Sequence, residues 1–179
     1  DLDGTNGFII NSAGATDRAG MSVSNIGDVN GDGLDDLLIG ADLGDANGMT
    51  NAGEAYVIYG NTVPSVTGTF DLSDLDGTNG FVLNGAARGD RAGFEVSDAG
   101  DMNGDGFKDF MVAAVKADGN GRDSGAVYVV YGGSDLATTG QLELSALDGT
   151  NGYLINGLNA GDWAGYSLSS AGDVNGDGL

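Results

Sequence analysis

A long internal period restricts this chain more than any other feature. The segment LDGTNG recurs with its Asp at 3, 76 and 148, and GDVNGDG or GDMNGDG recurs with its first Asp at 28, 101 and 173. Both series therefore advance by 73 and then 72 residues. A fixed spacing with turn residues inside it is the mark of a repeat architecture, in which each unit buries its apolar surface against its neighbours.

Within one period the pattern is that of strands. GMSVSNIGD, from Gly20, alternates, with Met21 and Val23 on one side and Ser22 and Ser24 on the other. An acidic turn follows, then the run DLLIGA at 36–41, a glycine-rich loop, the run EAYVIYG at 54–60, and a polar excursion containing Pro64. The turn LDGTNG leads into a fourth strand, GFVLNG at 80–85. The second copy matches strand for strand as GFEVSDAGD, DFMVAA, AVYVVYG and GYLING. Four short strands per repeat predict an all-β fold of four-stranded antiparallel blades, as in a β-propeller. The two middle runs are apolar at consecutive positions, as expected when both faces of a blade are covered. The expected organisation is one partial propeller domain over 1–179. It comprises a partial blade at 1–12 (a fourth strand at 7–12), blades at 13–85 and 86–157, and a partial blade at 158–179 (a first strand at 165–173). Because a propeller typically closes with about four to eight blades, the chain is expected to be a piece of a longer protein or to associate with further copies.

Composition narrows the function. With 27 acidic residues against 6 basic ones the net charge is −21, which leaves no basic patch to displace phosphate counterions and argues against nucleic acid. Compact apolar runs between turns argue against disorder despite that charge. Absence of cysteine and histidine removes disulfides, thiol chemistry, and the usual catalytic base and zinc ligand. No apolar run approaches the ~20 residues of a membrane helix. A catalytic reading would need carboxylates alone, and none stand apart from the rest as a pair.

The acidic turns carry the strongest chemical signal. In DVNGDGLDD, Asp28, Asn30, Asp32 and Asp36 fall at positions 1, 3, 5 and 9, with the Leu34 carbonyl at 7 and a glycine at 6 where the chain must turn back. Asp101, Asn103, Asp105, the Phe107 carbonyl and Asp109 repeat the set. Asp173, Asn175, Asp177 and Leu179 begin a third. Crowded carboxylates repel one another, and a divalent ion relieves that repulsion. Oxygen-only donors on a flexible loop favour calcium over zinc, copper or magnesium. A helix-loop-helix site is excluded because position 12, which needs a bidentate Glu, holds Ile39 or Val112 within strand-like runs. Affinity of roughly 10⁻⁴ to 10⁻³ M is expected, as in extracellular modules. This predicts a secreted or cell-surface protein.

DVNGDGLDDLLIGA followed by GEAYVIYG, and DMNGDGFKDFMVAA followed by GAVYVVYG, resemble FG-GAP repeats, the blades of the integrin α-subunit propeller and of many bacterial secreted proteins. The flanking LSDLDGTNGFVLNG and SALDGTNGYLING are similar to the long acidic FG-GAP repeats of bacterial, particularly cyanobacterial, surface proteins. The Phe-Gly position reads Ala19-Gly20, Ala92-Gly93 and Ala164-Gly165. Gly-Ala-Pro reads Gly40-Ala41-Asp42 and Ala113-Ala114-Val115, without the proline. The resemblance implies a seven-bladed ring, calcium between strands one and two on one face, and ligands held by loops on the other.

On that second face Trp163 occupies the place of Arg18 and Arg91, between strands four and one. It is a candidate anchor for a protein or glycan, although tryptophan more often packs away from solvent. Loops 42–53 and 115–125, which differ between copies, share the face. Arg88-Gly89-Asp90 spells an adhesion tripeptide, but the other copies read Ala15-Thr16-Asp17 and Ala160-Gly161-Asp162, so it is expected to be incidental. The leading expectation is a non-enzymatic, calcium-stabilised adhesion or binding module. A filament or surface-layer subunit packing against its own copies and an accessory propeller of a secreted hydrolase are the alternatives.

Overall fold

The computed structural model describes residues 2–60 and 68–172; Pro64 and the third acidic loop lie outside them. The chain is all-β. Eleven strands among the described residues are β1 (Ile9–Asn11), β2 (Val23–Gly27), β3 (Asp36–Ala41), β4 (Glu54–Ile58), β5 (Thr69–Asp71), β6 (Gly80–Asn84), β7 (Ala92–Gly100), β8 (Asp109–Ala114), β9 (Ala126–Val130), β10 (Gln141–Glu143) and β11 (Gly152–Asn156).

Two four-stranded antiparallel blades result, ordered β6-β4-β3-β2 and β11-β9-β8-β7. The register repeats: Tyr56 faces Val82 in the first blade as Tyr128 faces Leu154 in the second. Each innermost strand carries a bulge just before its acidic loop, at Asn25/Gly27 and Asp98/Gly100. A bulge increases local twist and re-aims the hairpin tip.

Consecutive apolar positions divide between the two faces of a blade. Leu38, Val57, Phe81 and Leu83 point toward the second blade and join Val96, Phe110, Val112, Tyr128 and Val130 in one core. Ile39, Tyr56 and Ile58 point the other way, onto Phe70 and Leu72. The blades approach closely where glycine permits. A Cβ on Gly40 would lie 2.0 Å from the Gly93 carbonyl oxygen, so the glycine of the Gly-Ala-Pro position in one blade meets the glycine of the Phe-Gly position in the next.

Two features depart from the sequence expectation, and a third fixes a side that the alternation left open. A blade has more than its four strands: β5 pairs in parallel with β1, and β10 in parallel with β6, so each repeat sends a short strand back to the outer edge of the one before. Along β2 the serine side is the covered one. Ser22 is buried and its Oγ accepts the Val96 N–H at 3.1 Å, whereas Met21 and Val23 are 50% and 60% exposed. Finally, residues 165–172 form no strand. In both blades that strand pairs with one following the acidic loop, and no such partner is among the described residues.

Candidate metal centre

Each acidic loop closes the hairpin between the first two strands of its blade. The local fold follows from short polar side chains that bond their own backbone. Asp28 Oδ1 accepts N–H bonds from Gly31 at 2.7 Å and Asp32 at 3.1 Å, and Oδ2 accepts from Gly33 at 2.9 Å. Asn30 Oδ1 accepts from the Asp32 N–H and Asp32 Oδ1 from the Leu34 N–H, both at 2.9 Å. Gly31 and Gly33 sit at φ 82° and 88°, a region that side chains strain to reach.

The second loop repeats the pattern. Asp101 accepts from Gly104, Asp105 and Gly106 at 2.8, 3.2 and 3.0 Å. Asn103 Oδ1 accepts from Asp105 at 3.0 Å and Asp105 Oδ1 from Phe107 at 2.9 Å.

The ninth-position aspartates are held differently. Asp36 is 2% exposed and Asp109 fully buried. Asp36 bridges two turns, accepting from Val29 through Oδ2 and from Gly60 through Oδ1 at 2.9 Å each. Asp109 does the same with Met102 at 2.7 Å and Gly132 at 2.9 Å. Burial pushes the Asp36 carboxyl up to about 6, against the lowering effect of those two N–H groups, and Asp32 and Asp28 add to the rise. Asp109 is raised for the same reasons.

The donor chemistry fits a hard divalent cation: each loop offers three carboxylates, one amide oxygen and one main-chain carbonyl, with no nitrogen or sulfur donor. Among the described residues no group of three or more acidic side chains is drawn together in an arrangement that could itself hold a metal. The loop aspartates are instead turned to backbone N–H groups. Of the third set, Asp173, Asn175, Asp177 and Leu179 all lie outside the described residues.

At the other end of the blades, Arg18, Arg91 and Trp163 share one backbone conformation, with φ of 60°, 59° and 53°. Their side chains do different work. Arg18 forks onto Asp42, with Nε at 2.9 Å from Oδ1 and Nη2 bonded to Oδ2, while Arg91 Nη1 stays 4.0 Å away from the same carboxylate. Asp42 is fully buried. Sequence reasoning treated it only as a missing proline; the polar replacement of Pro beside two repeat-related arginines was the available signal. Trp163 is not packed away but 39% exposed. Lys116 Nζ lies 3.7 Å over its ring and bonds Asp123 Oδ2 at 3.1 Å.

The backbone of the tripeptide at 88–90 is tied into the scaffold, while the Arg88 side chain is exposed. Arg88 Nη1 donates to Thr50 Oγ1 at 3.1 Å, and the Asp90 carbonyl accepts the Lys116 N–H at 3.1 Å. Burial, with Asp118 nearby, pushes the Asp90 carboxyl up to about 6.

Comparison with known proteins agrees with this geometry. The FG-GAP repeat profile matches residues 19–58, from the turn before β2 to the end of β4. Integrin alpha-PS2 of Drosophila melanogaster is 33% identical over 158 residues, covering 84% of this chain and 10% of that protein. This chain carries an FG-GAP repeat. Integrin alpha-4 of Xenopus laevis is 33% identical over 152 residues, covering 84% of this FG-GAP chain and 13% of the integrin. Phosphatidylinositol-glycan-specific phospholipase D of Bos taurus is 28% identical over 174 residues, 94% of this chain and 18% of that enzyme. The FG-GAP chain thus spans less than a fifth of the curated relatives it matches. Among the described residues no helix is long and apolar enough to cross a membrane.

Proposed function

We propose that this chain is part of a calcium-stabilised extracellular β-propeller, one partial domain over 1–179, that serves adhesion or protein or glycan binding on a bacterial surface and has no catalytic role of its own. The observation that carries this reading is the recurrence of one oxygen-only loop at two hairpin tips, with matching hydrogen bonds, in a chain of net charge −21. Calcium is held by Asp28, Asn30, Asp32, the Leu34 carbonyl and Asp36, and by their second-repeat counterparts Asp101, Asn103, Asp105, Phe107 and Asp109. The ion neutralises the loop carboxylates and, by binding the folded chain, favours it. Recognition falls to the opposite end, where Trp163 with Lys116 above it offers an exposed aromatic face and Arg18 and Arg91 flank the variable loops.

Calorimetric titration with calcium tests the proposal. Binding in the range of roughly 10⁻⁴ to 10⁻³ M, lost stepwise in Asp32→Ala and Asp105→Ala, is the expected result. No heat and no change in melting with excess chelator would remove it. A second reading, a subunit that assembles with its own copies, is favoured by the exposed apolar side chains Met21 and Val23 on one flank and Leu154, Ile155 and Leu158 on the other. Light scattering separates the two, since a binding module stays monomeric when calcium is added and a filament subunit grows.

A further inference from the structure

The acidic loop of the first blade is seated on the second. The Lys108 N–H donates to the Asp28 carbonyl at 3.0 Å, and the Gly133 N–H donates to the Val29 carbonyl at 2.8 Å. Side chains follow the backbone. A Cβ on Gly31 would lie 2.6 Å from Phe107 Cε1, and one on Gly27 would lie 2.7 Å from Lys108 Cγ. The glycines of the first loop thus form the surface on which Phe107 and Lys108 rest. Their counterparts in the first blade, Leu34 and Asp35, are exposed.

Phe107 therefore belongs to both loops. Its carbonyl stands at the seventh ligand position of the second, and its ring lies against Gly31, between the Asn30 and Asp32 donors of the first. We propose that Phe107 and Lys108 are positioning residues for the first loop, so that the two neighbouring cation sites load as a coupled pair. This rests on the cation reading above. Fixing the Phe107 carbonyl in a filled second loop restricts its ring and so the Gly31 turn. By linkage, filling the first loop favours the second by the same factor.

Calcium titration of the whole chain, followed by the amide resonances of Gly33 and Gly106, reads each loop separately. In Asp105→Ala the second loop is disabled, and the calcium needed to half-shift Gly33 should rise about five-fold or more. An unmoved Gly33 midpoint overturns the coupling. Phe107→Ala removes the ring but not the main-chain carbonyl, and its own Gly33 and Gly106 midpoints set the reference. Adding Asp105→Ala on that background should then leave the Gly33 midpoint where it is, and an undiminished effect there assigns no role to the ring and overturns the proposal. If Phe107→Ala loses its spectral dispersion, Phe107→Leu takes its place, with the same two outcomes. Silence of both glycines in the unaltered chain is a different failure, since it removes the cation reading itself and the coupling with it.

Discussion

The two blades share strand order, register and acidic loop, yet equivalent residues in them do unequal work. Val96 is 3% exposed on the innermost strand of the second blade, while Val23, at the same place in the first, is 60% exposed. The reason is a neighbour: β2 and β3 of the first blade cover β7, and no described element covers β2 in the same way. Burial in a repeat fold is thus set by what lies alongside, not by the residue's own repeat. The same holds for charge. Asp42 is buried against Arg18, and Val115 at the equivalent place is an apolar core residue, 1% exposed.

The largest effect expected is from removing divalent cations, which tests whether the loops are alike as well as looking alike. At a hundred-fold excess over the dissociation constant each filled site stabilises by about 2.7 kcal/mol. At about 2–4 °C per kcal/mol for a chain of this size, chelation should lower the melting temperature by more than ten degrees. Scanning calorimetry of Asp32→Ala and Asp105→Ala should find somewhat more than half that loss in each, because disabling one loop also weakens the other, and a marked inequality would mean that only one loop is a site. The next effect distinguishes the repeat-related arginines. Arg18→Ala leaves a buried Asp42 without its fork and should cost roughly 2 kcal/mol, less than a fully enclosed pair would because Arg18 is itself 43% exposed. Arg91→Ala, with its guanidinium 4.0 Å from that carboxylate, should cost under about 0.5 kcal/mol. Equal losses on urea denaturation would show that the fork is not what separates them.

The blades and their loops were legible because both are local patterns. Alternation and apolar runs set the strands, and Asp-x-Asn-x-Asp-Gly spacing set the loop that Asp28 and Asp101 now nucleate. What was not legible depends on partners distant in sequence. The parallel additions of β5 to β1 and β10 to β6 join three-residue segments such as Thr69–Asp71 and Gln141–Glu143, too short to show a period. Glu143 accepts from Asn47 at 2.9 Å and Asn84 at 2.7 Å, a clamp between two repeats that no spacing announces. Trp163 was expected inside on residue type alone, but its neighbours are the side chains of Lys116 and Tyr166 and it stays 39% exposed.

Two smaller tests sharpen the contrast between covered and open positions. Val96→Ala should cost about 2 kcal/mol from lost burial and the cavity left behind, whereas Val23→Ala should change stability by less than about 0.5 kcal/mol. A large loss at Val23 would mean that its face is covered in solution, as in an assembly of copies. The smallest expected effect is the share of the pH dependence that Asp90 adds to that of Asp36 and Asp109; the Asp90 carboxyl is raised to about 6 by burial with Asp118 nearby. Since the folded chain holds that proton more tightly than the unfolded chain does, Asp90 contributes stability below the ordinary carboxylate range. That contribution is lost as pH rises through about 6. Asp90→Asn should therefore flatten the fall in melting temperature between pH 4 and pH 7 in chelator. If Asp90→Asn retains the full slope, the titration belongs to other carboxylates and Asp90 makes no contribution that distinguishes the second blade.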